Sequence, residues 1–309
     1  MEKKRILITG AAGMVGKNLC EHANGKAYTL LTPTRAELDL SNRPAIDEYI
    51  ALNRPDLVIH CAGVVGGIQA NIVEPVRFLT ENLNMGVNLV LSAKRSGIKN
   101  LVNLGSSCMY SRNEPNPLRE ESILNGILEP TNEGYALAKI TVARLCEYVN
   151  REDQSFHYKT LIPCNIYGRY DNFDPERSHL VPAVIQKLHQ AKVENKSEVT
   201  IWGDGLARRE FMYAGDFADC LWRVISHFDS VPEYMNVGIG RDWSIKEYYE
   251  QAALVVGFKG RFKHDLGKPV GMKKKLVDTN RIRKWGWQPK STLFQGLEAT
   301  YKYFLEKVC

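Results

Sequence analysis

The stretch Arg5-Ile-Leu-Ile-Thr-Gly-Ala-Ala-Gly-Met-Val-Gly16 decides the fold of the 309-residue chain. Its first five residues suit a buried parallel strand, and the glycine-rich segment leads directly into a helical stretch. In such a strand, turn and helix, Gly10 permits the tight turn, Gly13 lets backbone approach a pyrophosphate, and Gly16 allows close helix–strand packing. A glycine turn that binds no ligand is the alternative. The predicted dinucleotide contacts of this segment are Gly10, Gly13, Met14, Val15 and Gly16.

Strand-like and helix-like segments alternate through the first half of the chain. Strands are predicted at 28–32, 57–60 and 100–104, and helices near 44–53, 76–96 and 133–150. Ser41 is expected to cap the first of these helices. The alternation predicts an α/β fold, a Rossmann-type doubly wound parallel sheet. From about 173 it weakens, so we expect a cofactor-binding domain at 1–172, rejoined by about 211–240, and a smaller, interleaved substrate domain at 173–309.

Composition and charge exclude several classes of protein. The chain is 44% hydrophobic and 25% charged, which allows a packed core and argues against disorder. No apolar run approaches the ~18 residues of a membrane span. The net charge of +6 is mild, so no nucleic-acid partner is expected. Seven widely spaced cysteines without a Cys-x-x-Cys pair indicate a reduced, cytoplasmic protein without a structural metal.

One basic run, Lys273-Lys-Lys275, stands out from otherwise scattered charges. It is consistent with a solvated surface, with a phosphate contact, or with nucleic-acid binding. The sequence leaves these three interpretations open.

The end of the second predicted strand indicates which dinucleotide is bound. An acidic residue there would bind the ribose 2′-hydroxyl of NAD, but this chain has Thr32-Pro-Thr-Arg35. Arginine suits a 2′-phosphate through charge-assisted bonds, so NADP(H) is predicted. The alternative for Arg35 is an ordinary loop cation. Further predicted cofactor contacts are Asp39, facing the adenine amino group, Leu40, and the small residues Ala62 and Gly63 after the third strand.

A tyrosine and a lysine, Tyr135 and Lys139, lie four residues apart on one face of a predicted helix. We expect the ammonium to lower the pKa of the phenol and make Tyr135 a proton donor to a carbonyl that receives a hydride. Ser106 and Ser107, at the end of the fourth strand, would hydrogen-bond that carbonyl or merely cap a turn. The order of glycine loop, strand-end serines and Tyr-x-x-x-Lys indicates a reductase site, whereas each part alone is common.

Three further stretches are specific enough to indicate a family. They are Val65-Gly-Gly-Ile68, Gly105-Ser-Ser-Cys-Met-Tyr110, and Asp171-Asn-Phe173 with Ser178-His-Leu-Val-Pro182. With the Gly-x-x-Gly-x-x-Gly loop and the Tyr-x-x-x-Lys pair, they make the whole chain resemble the GDP-L-fucose synthases. These are bifunctional epimerase/reductases of the extended short-chain dehydrogenase/reductases. Val64 and Ser111 stand where the family usually has lysine and proline, which suggests a related sugar.

The resemblance implies a role for each matching position. Ser106, Tyr135 and Lys139 would form the reductive triad, while Cys108 and His179 would be the epimerising acid and base. Without the resemblance, the simplest interpretation of Cys108 is a small buried hydrophobic residue, and that of His179 is an ordinary histidine at a helix start. Implied cofactor contacts are Tyr135, Lys139, Pro163, Asn165, Ile166 and His179. Implied substrate contacts are Ser107, Cys108, Asn165, Lys187 (where arginine is usual), Trp202, Arg209 and Asp278.

These residues together predict NADPH-dependent C4 reduction of a GDP-4-keto-6-deoxy sugar, with 3,5-epimerisation. One alternative is a reductase-only enzyme acting on a GDP-4-keto-heptose for bacterial surface polysaccharide. Others are an NAD-dependent sugar-nucleotide 4-epimerase or dehydratase, and a nucleotide-sensing protein with a dead site. The dehydratases usually have an acidic residue after the strand-end serine, where this chain has Ser107-Cys108. The resemblance also implies a homodimer through a four-helix bundle built from the helices near 76–96 and 133–150.

Overall fold

The computed structural model describes residues 3–174, 178–267 and 272–308, and both helices and strands occur along all three ranges. The helices there are α1 (Met14–Glu21), α2 (Arg43–Asn53), α3 (Ile68–Val73), α4 (Pro75–Arg95), α5 (Glu133–Glu152), α6 (Leu180–Val193), α7 (Ala214–Ser226), α8 (Ile245–Val256), α9 (Asn280–Lys284) and α10 (Leu293–Lys307). The strands there are β1 (Arg5–Thr9), β2 (Thr29–Leu31), β3 (Leu57–His60), β4 (Asn100–Leu104), β5 (His157–Pro163), β6 (Asn165–Tyr167), β7 (Glu198–Trp202), β8 (Arg208–Arg209), β9 (Phe211–Tyr213), β10 (Tyr234–Val237), β11 (Trp243–Ser244), β12 (Arg261–Asp265) and β13 (Lys274–Lys275).

A parallel sheet forms the centre of the fold. Among the described residues it has six strands, in the order β10-β5-β4-β3-β1-β2. Thr9 pairs with His60, and His60 pairs with Asn103, so the carboxyl ends of β1, β3 and β4 share one edge. Open α/β sheets bind their ligands at this edge. The predicted Rossmann-type doubly wound α/β fold is confirmed.

Alternate side chains of β1 enter two different cores. Ile6 and Ile8 pack in a cluster that includes Leu19 of α1 and residues of α7. Leu7 packs on the opposite face, in a cluster with residues of α2, α4 and α5. Successive strand residues face opposite sides of a sheet, so helices cover both faces.

A third apolar cluster lies among the segments that follow β6. Residues of α6, α8 and α10 build it, including Ile185, Tyr248 and Phe304. Nearby, β7 pairs with β12, while β8 pairs with β11 and β13. Because α7 contacts α1 and β10 joins the central sheet, the segment 214–237 lies with the first half of the chain. The domain boundaries expected at about 172 and 173 stay a prediction.

One local prediction is wrong. Asn42, not Ser41, caps α2, because the Asn42 side chain accepts from the Ala45 N–H at 3.3 Å while the Ser41 hydroxyl donates to Asp39. The stretch 208–213 forms two strands in different sheets. Glu210 separates them, and its carboxylate is drawn inward to backbone N–H groups of 239, 240 and 277.

No helix in the described ranges combines the length and the apolar character that crossing a bilayer requires.

Candidate active site

The glycine loop between β1 and α1 has the geometry of a phosphate cradle. Gly10 has a φ of +69°, and a Cβ there would lie 2.6 Å from the Ala62 backbone. A Cβ at Gly16 would lie 2.3 Å from the Gly10 carbonyl oxygen, so packing within the protein requires both glycines. A Cβ at Gly13 would meet only that oxygen, at 3.4 Å. The space above Gly13 is thus open to a ligand, at a helix N-terminus that has no side-chain cap.

The segment beyond β2 carries the groups predicted to hold the adenosine end of a cofactor. Hydrogen bonds from the Ser41 backbone and hydroxyl, at 2.9 and 2.8 Å, hold the pKa of Asp39 below its ordinary value, and the exposed Arg35 lowers it further. Leu40 is buried between them and the core. A cavity of about 420 Å³ opens between Thr32, the glycine loop and Tyr170. Lys17 also lines this cavity and is a cation that suits a dinucleotide phosphate, while the contact of Arg35 with a 2′-phosphate stays a prediction.

The loop after β3 closes tightly over the same edge of the sheet. The Ala62 N–H donates to Thr9 Oγ1 at 3.3 Å. A Cβ at Gly63 would lie 3.2 Å from Asn82 Oδ1 and 3.8 Å from Lys139 Nζ, so the glycine lets this loop pack directly against the buried lysine. Ala62 and Gly63 therefore lie between the glycine loop and the predicted catalytic helix.

Tyr135 and Lys139 lie in the first two turns of α5. Lys139 Nζ lies 5.7 Å from the centroid of the Tyr135 ring and donates to the Leu104 carbonyl oxygen at 2.9 Å. Burial lowers the pKa of Lys139 to about 8. Burial also raises the pKa of Tyr135, and the nearby Cys108 raises it further, while a hydrogen bond with Ser106 opposes both.

The expectation that Lys139 lowers the phenol pKa is therefore wrong for this structure. The ammonium is directed at the end of β4, and desolvation of the phenol outweighs the attraction that a nearby charge would provide. The consequence favours the predicted chemistry, because a neutral phenol is the form that can give a proton to a carbonyl oxygen.

Ser106 has the capping role that the sequence offered as one of two, while its bond to a substrate carbonyl stays a prediction. Its hydroxyl accepts from the Cys108 N–H at 3.2 Å and so caps the short 3₁₀ turn Ser107–Met109. The same side chain hydrogen-bonds Tyr135. Ser107 is buried beside it. The turn thus places a hydroxyl and a thiol at the end of β4, beside the Tyr135 phenol of α5.

The Cys108 thiol is surrounded by hydrogen-bond donors. Asn132 Nδ2 lies 3.1 Å from Sγ, and Lys275 Nζ lies 3.3 Å from it. Burial raises the pKa of the thiol, but the charge of Lys275 and the hydrogen bonds from Ser106, Lys275 and Asn132 together bring it below the ordinary value. An inert core cysteine would show the opposite balance.

His179 occupies the N-cap position of α6 without making a side-chain capping bond. Burial lowers the pKa of its imidazole, and the charge of Lys275 lowers it further. Lys275 therefore acts on both residues that the resemblance assigns to epimerisation.

Sequence reasoning did not identify Lys275 as a site residue. Of the basic run, Lys273 is exposed and Lys274 pairs with Asp242 at 3.1 Å, whereas Lys275 is 9% exposed and contacts Cys108. Alternation along a strand was the available signal, because neighbours in an extended segment point to opposite sides. This alternation indicates that one lysine of the run points inward, but it does not indicate which residue that lysine contacts.

The other predicted cofactor and substrate contacts lie in several different elements. The Arg209 guanidinium is largely buried, which lowers its pKa, and it interacts with Glu129, Tyr248 and Cys108. Asn165 donates to the Glu210 carbonyl oxygen at 3.1 Å. Pro163 ends β5, and Ile166 lies in β6. Lys187 donates to the Thr200 carbonyl oxygen, and Trp202 ends β7. The Asp278 carboxylate accepts from Asn280. The cofactor and substrate roles of these residues stay predictions.

Comparison with known proteins decides the family. Residues 6–240 match the NAD dependent epimerase/dehydratase family. A GDP-L-colitose synthase of Yersinia pseudotuberculosis is 53% identical over 98% of both chains. A GDP-L-fucose synthase of Azorhizobium caulinodans is 48% identical over 98% of this chain and 96% of its own. The chain belongs to this family, among the GDP-L-fucose synthase-like enzymes.

Membership in the GDP-L-fucose synthase-like enzymes confirms the resemblance inferred from residues 105–110 and 178–182. A solved structure points the same way. The GDP-mannoheptose C4 reductase from Campylobacter jejuni with NADP bound has a TM-score of 0.89, 31% identity and 98% coverage of both chains.

Proposed function

We propose that this GDP-L-fucose synthase-like enzyme uses NADPH to reduce C4 of a GDP-4-keto sugar, after epimerising carbons next to the ketone. The observation that carries the proposal is the cluster at the end of β4. There Ser106 hydrogen-bonds Tyr135, and two residues later Cys108 is held by Asn132 and Lys275. Relatives whose names specify GDP-sugar synthesis, and a solved reductase with NADP bound, support this substrate class and cofactor.

The reduction assigns a task to each member of the triad. NADPH, when bound, supplies the hydride for C4. Tyr135, held as the neutral phenol by burial, gives its proton to O4, and Ser106 orients the phenol. Lys139 is the residue that would hold the nicotinamide ribose, while the glycine loop and Arg35 would hold the phosphates.

The epimerisation needs a base on one face of the sugar and an acid on the other. The C4 ketone acidifies the protons on C3 and C5. Cys108 as thiolate removes such a proton, and His179 in its protonated form returns one to the opposite face. Because burial and Lys275 lower the pKa of His179 below its ordinary 6.5, the protonated imidazole is lost below neutrality, and we expect its contribution to exchange at these carbons to decline as pH rises through that range.

The relatives differ in the sugar that their names specify, which leaves three substrates to compare. GDP-4-keto-6-deoxymannose is the default. L-colitose is the 3-deoxy counterpart of L-fucose, and the 53% identity to a GDP-L-colitose synthase favours a 3-deoxy substrate, in which C5 alone is inverted. The similarity to a GDP-mannoheptose C4 reductase supports the heptose alternative. An NAD-dependent 4-epimerase or dehydratase has less support, because the relatives that are 53% and 48% identical over the whole chain are synthases.

The decisive experiment offers the protein NADPH and each of the three GDP-4-keto sugars. Loss of absorbance at 340 nm measures reduction, and NMR of the product identifies the sugar. In D₂O without NADPH, deuterium at C3, C5 or both reports epimerisation. If NADPH is oxidised with none of the three, the proposal is refuted.

Two variants separate the half-reactions. Tyr135→Phe should retain deuterium exchange and lose NADPH oxidation by about 10²-fold or more, the usual contribution of a positioned proton donor. Cys108→Ser should lose exchange while still oxidising NADPH with a sugar that is already epimerised. Loss of both activities in both variants would show that the assignments are wrong.

We further propose that the enzyme acts in the cytoplasm. Six cysteines in the described ranges, including Cys20, Cys108 and Cys220, are free thiols. A reducing compartment keeps such thiols available, and the proposed chemistry needs that of Cys108.

A further inference from the structure

Lys275 is a buried cation that meets a thiol. Its side chain is 9% exposed, and Nζ lies 3.3 Å from Cys108 Sγ. Its position is fixed by β13, in which it pairs with Arg209 of β8, and by the next two residues, whose N–H groups donate to Asn116 and Glu210. A buried ammonium is costly unless an anion or strong acceptor compensates it. A thiolate is such an anion, whereas a thiol is a weak acceptor.

We propose that Lys275 is a positioning residue that keeps Cys108 in the thiolate form and so makes it the base of the epimerisation. This inference rests on the proposed function, because it specifies how that site removes a proton. Lys275 acts here through Cys108, not through the sugar.

The other charged and titratable groups around the thiol agree with this assignment. Arg209 of β8 interacts with Cys108 as a second cation. Tyr135 of α5 is neutral, and Asn132, just before α5, donates to Sγ at 3.1 Å. His179 lies just before α6, and the positive charge of Lys275 opposes protonation of its imidazole. Each partner of the thiol thus favours its negative charge or leaves it unopposed.

The proton transfers balance without a further reactant. The Cys108 thiolate takes the proton from C3 or C5, and the electron pair of that C–H bond moves into an enolate whose charge lies on O4. Protonated His179 gives its proton to the other face of the same carbon, and the enolate returns to the ketone. The cysteine ends as a thiol and the histidine as neutral imidazole, and solvent exchange resets both.

Removing the charge of Lys275 should therefore move two titrations in the same direction. The thiol would ionise at higher pH, and His179 would hold its second proton to higher pH. The whole pH profile of deuterium exchange should shift upward in Lys275→Met, on both its acid and its alkaline limb. If Lys275 only supported the structure, its replacement would lower the exchange rate at every pH without shifting the profile along the pH axis.

The first test needs no substrate. Alkylation of Cys108 by iodoacetamide is followed across pH by peptide mass spectrometry in the wild type, Lys275→Met, Lys275→Arg and Lys274→Met. We expect the wild-type inflection to lie below that of a free thiol. Lys275→Met should react about tenfold more slowly at neutral pH, since one pKa unit changes the thiolate fraction tenfold. Lys275→Arg should recover part of the loss. Lys274→Met is the matched control and should be unchanged, because Lys274 pairs with Asp242.

Two results would overturn the inference. One is a wild-type Cys108 that titrates at or above the ordinary thiol range, and this arm remains valid if Lys275→Met does not fold. The other is a folded Lys275→Met that raises the KM for the GDP-sugar but leaves the inflection in place, as expected of a phosphate contact. If no GDP-4-keto sugar is turned over, the proposed function fails while the thiol titration still decides the role of Lys275.

Discussion

Arg35, an exposed side chain beyond β2, is the residue predicted to give specificity for NADPH over NADH. Replacing it with alanine should weaken NADPH binding by about tenfold to a hundredfold, the worth of a charge-assisted hydrogen bond, and leave NADH binding unchanged. Isothermal titration of both cofactors measures this. The control is Arg261→Ala, which removes an exposed arginine of β12 that pairs with Glu198 of β7. Equal losses for both cofactors would mean that Arg35 does not contact the 2′-phosphate.

Lys139 should make stability depend on pH in a predictable direction. Its folded pKa of about 8 lies below the ordinary 10.5, so the unfolded chain binds more protons between those values. The cost of burying the ammonium is therefore fully present below pH 8 and is relieved as pH rises. Relative to Lys139→Met, the wild type should gain about 2 kcal/mol in free energy of unfolding between pH 7 and 9.5.

Urea unfolding of the wild type and the variant at those two pH values measures the gain. Lys302→Met, at an exposed position of α10, should show no such change with pH. A constant difference between the wild type and Lys139→Met would contradict the lowered pKa of Lys139.

At the scale of the element, local patterns predicted the strands whose sequences are mainly apolar. Arg5–Thr9, Leu57–His60 and Asn100–Leu104 have the predicted bounds because parallel strands covered on both faces are rich in apolar residues. The strand at His157–Pro163 was not predicted, since Lys159 and Thr160 interrupt its pattern although both are buried.

The chemistry of the site was predictable in part for a related reason. Ser106, Cys108, Tyr135 and Lys139 lie within two local segments whose spacing carries meaning. The Lys275–Cys108 contact joins residues 167 positions apart, and no periodicity reports such a pair. The ionisation of Tyr135 also depends on burial by distant segments, so the spacing to Lys139 gave the wrong direction for the phenol pKa.

Glu210 joins three elements around the site, so its replacement tests how far the elements depend on one another. Its Oε1 accepts from the N–H groups of Ile239 and Gly240, and its Oε2 accepts from that of Val277. In Glu210→Gln the amide NH₂ must face at least one of these donors. We expect a loss of about 1–3 kcal/mol in free energy of unfolding, the cost of a buried group left unpaired.

Chemical denaturation measures this loss, with Glu298→Gln on the exposed side of α10 as the control. Because Val277 lies two residues after Lys275 of β13, loss of its bond to Glu210 should also loosen Lys275, and the variant should slow alkylation of Cys108. A variant that is as stable as the wild type would show that the carboxylate is not needed to join these segments.

For the whole molecule, α4 and α5 carry outward-facing apolar residues while packing against each other. Val76 on α4 is 72% exposed, and Leu137 and Tyr148 on α5 are 39% and 50% exposed. Val142 of α5 packs closely on Gly86 of α4 on the inner side, where a Cβ would lie 2.4 Å from Cγ2. An apolar outer face on a tightly packed helix pair suits a second copy of the same pair, related by a two-fold axis.

The homodimer that the resemblance implies can be tested on this face. Light scattering of the wild type should give about twice the chain mass of 35.0 kDa at micromolar concentration. Leu137→Arg places a charge in the expected interface, on the outer side of α5, and should give the monomer mass and a thermal midpoint that depends less on protein concentration. Leu254→Arg, at a 68% exposed leucine of α8, should remain dimeric. Since Tyr135 and Lys139 lie on the same helix, the monomer should also bind NADPH less tightly than the dimer, because the helix that carries them loses its support. A monomeric wild type, or an unchanged mass for Leu137→Arg, would rule out this assembly.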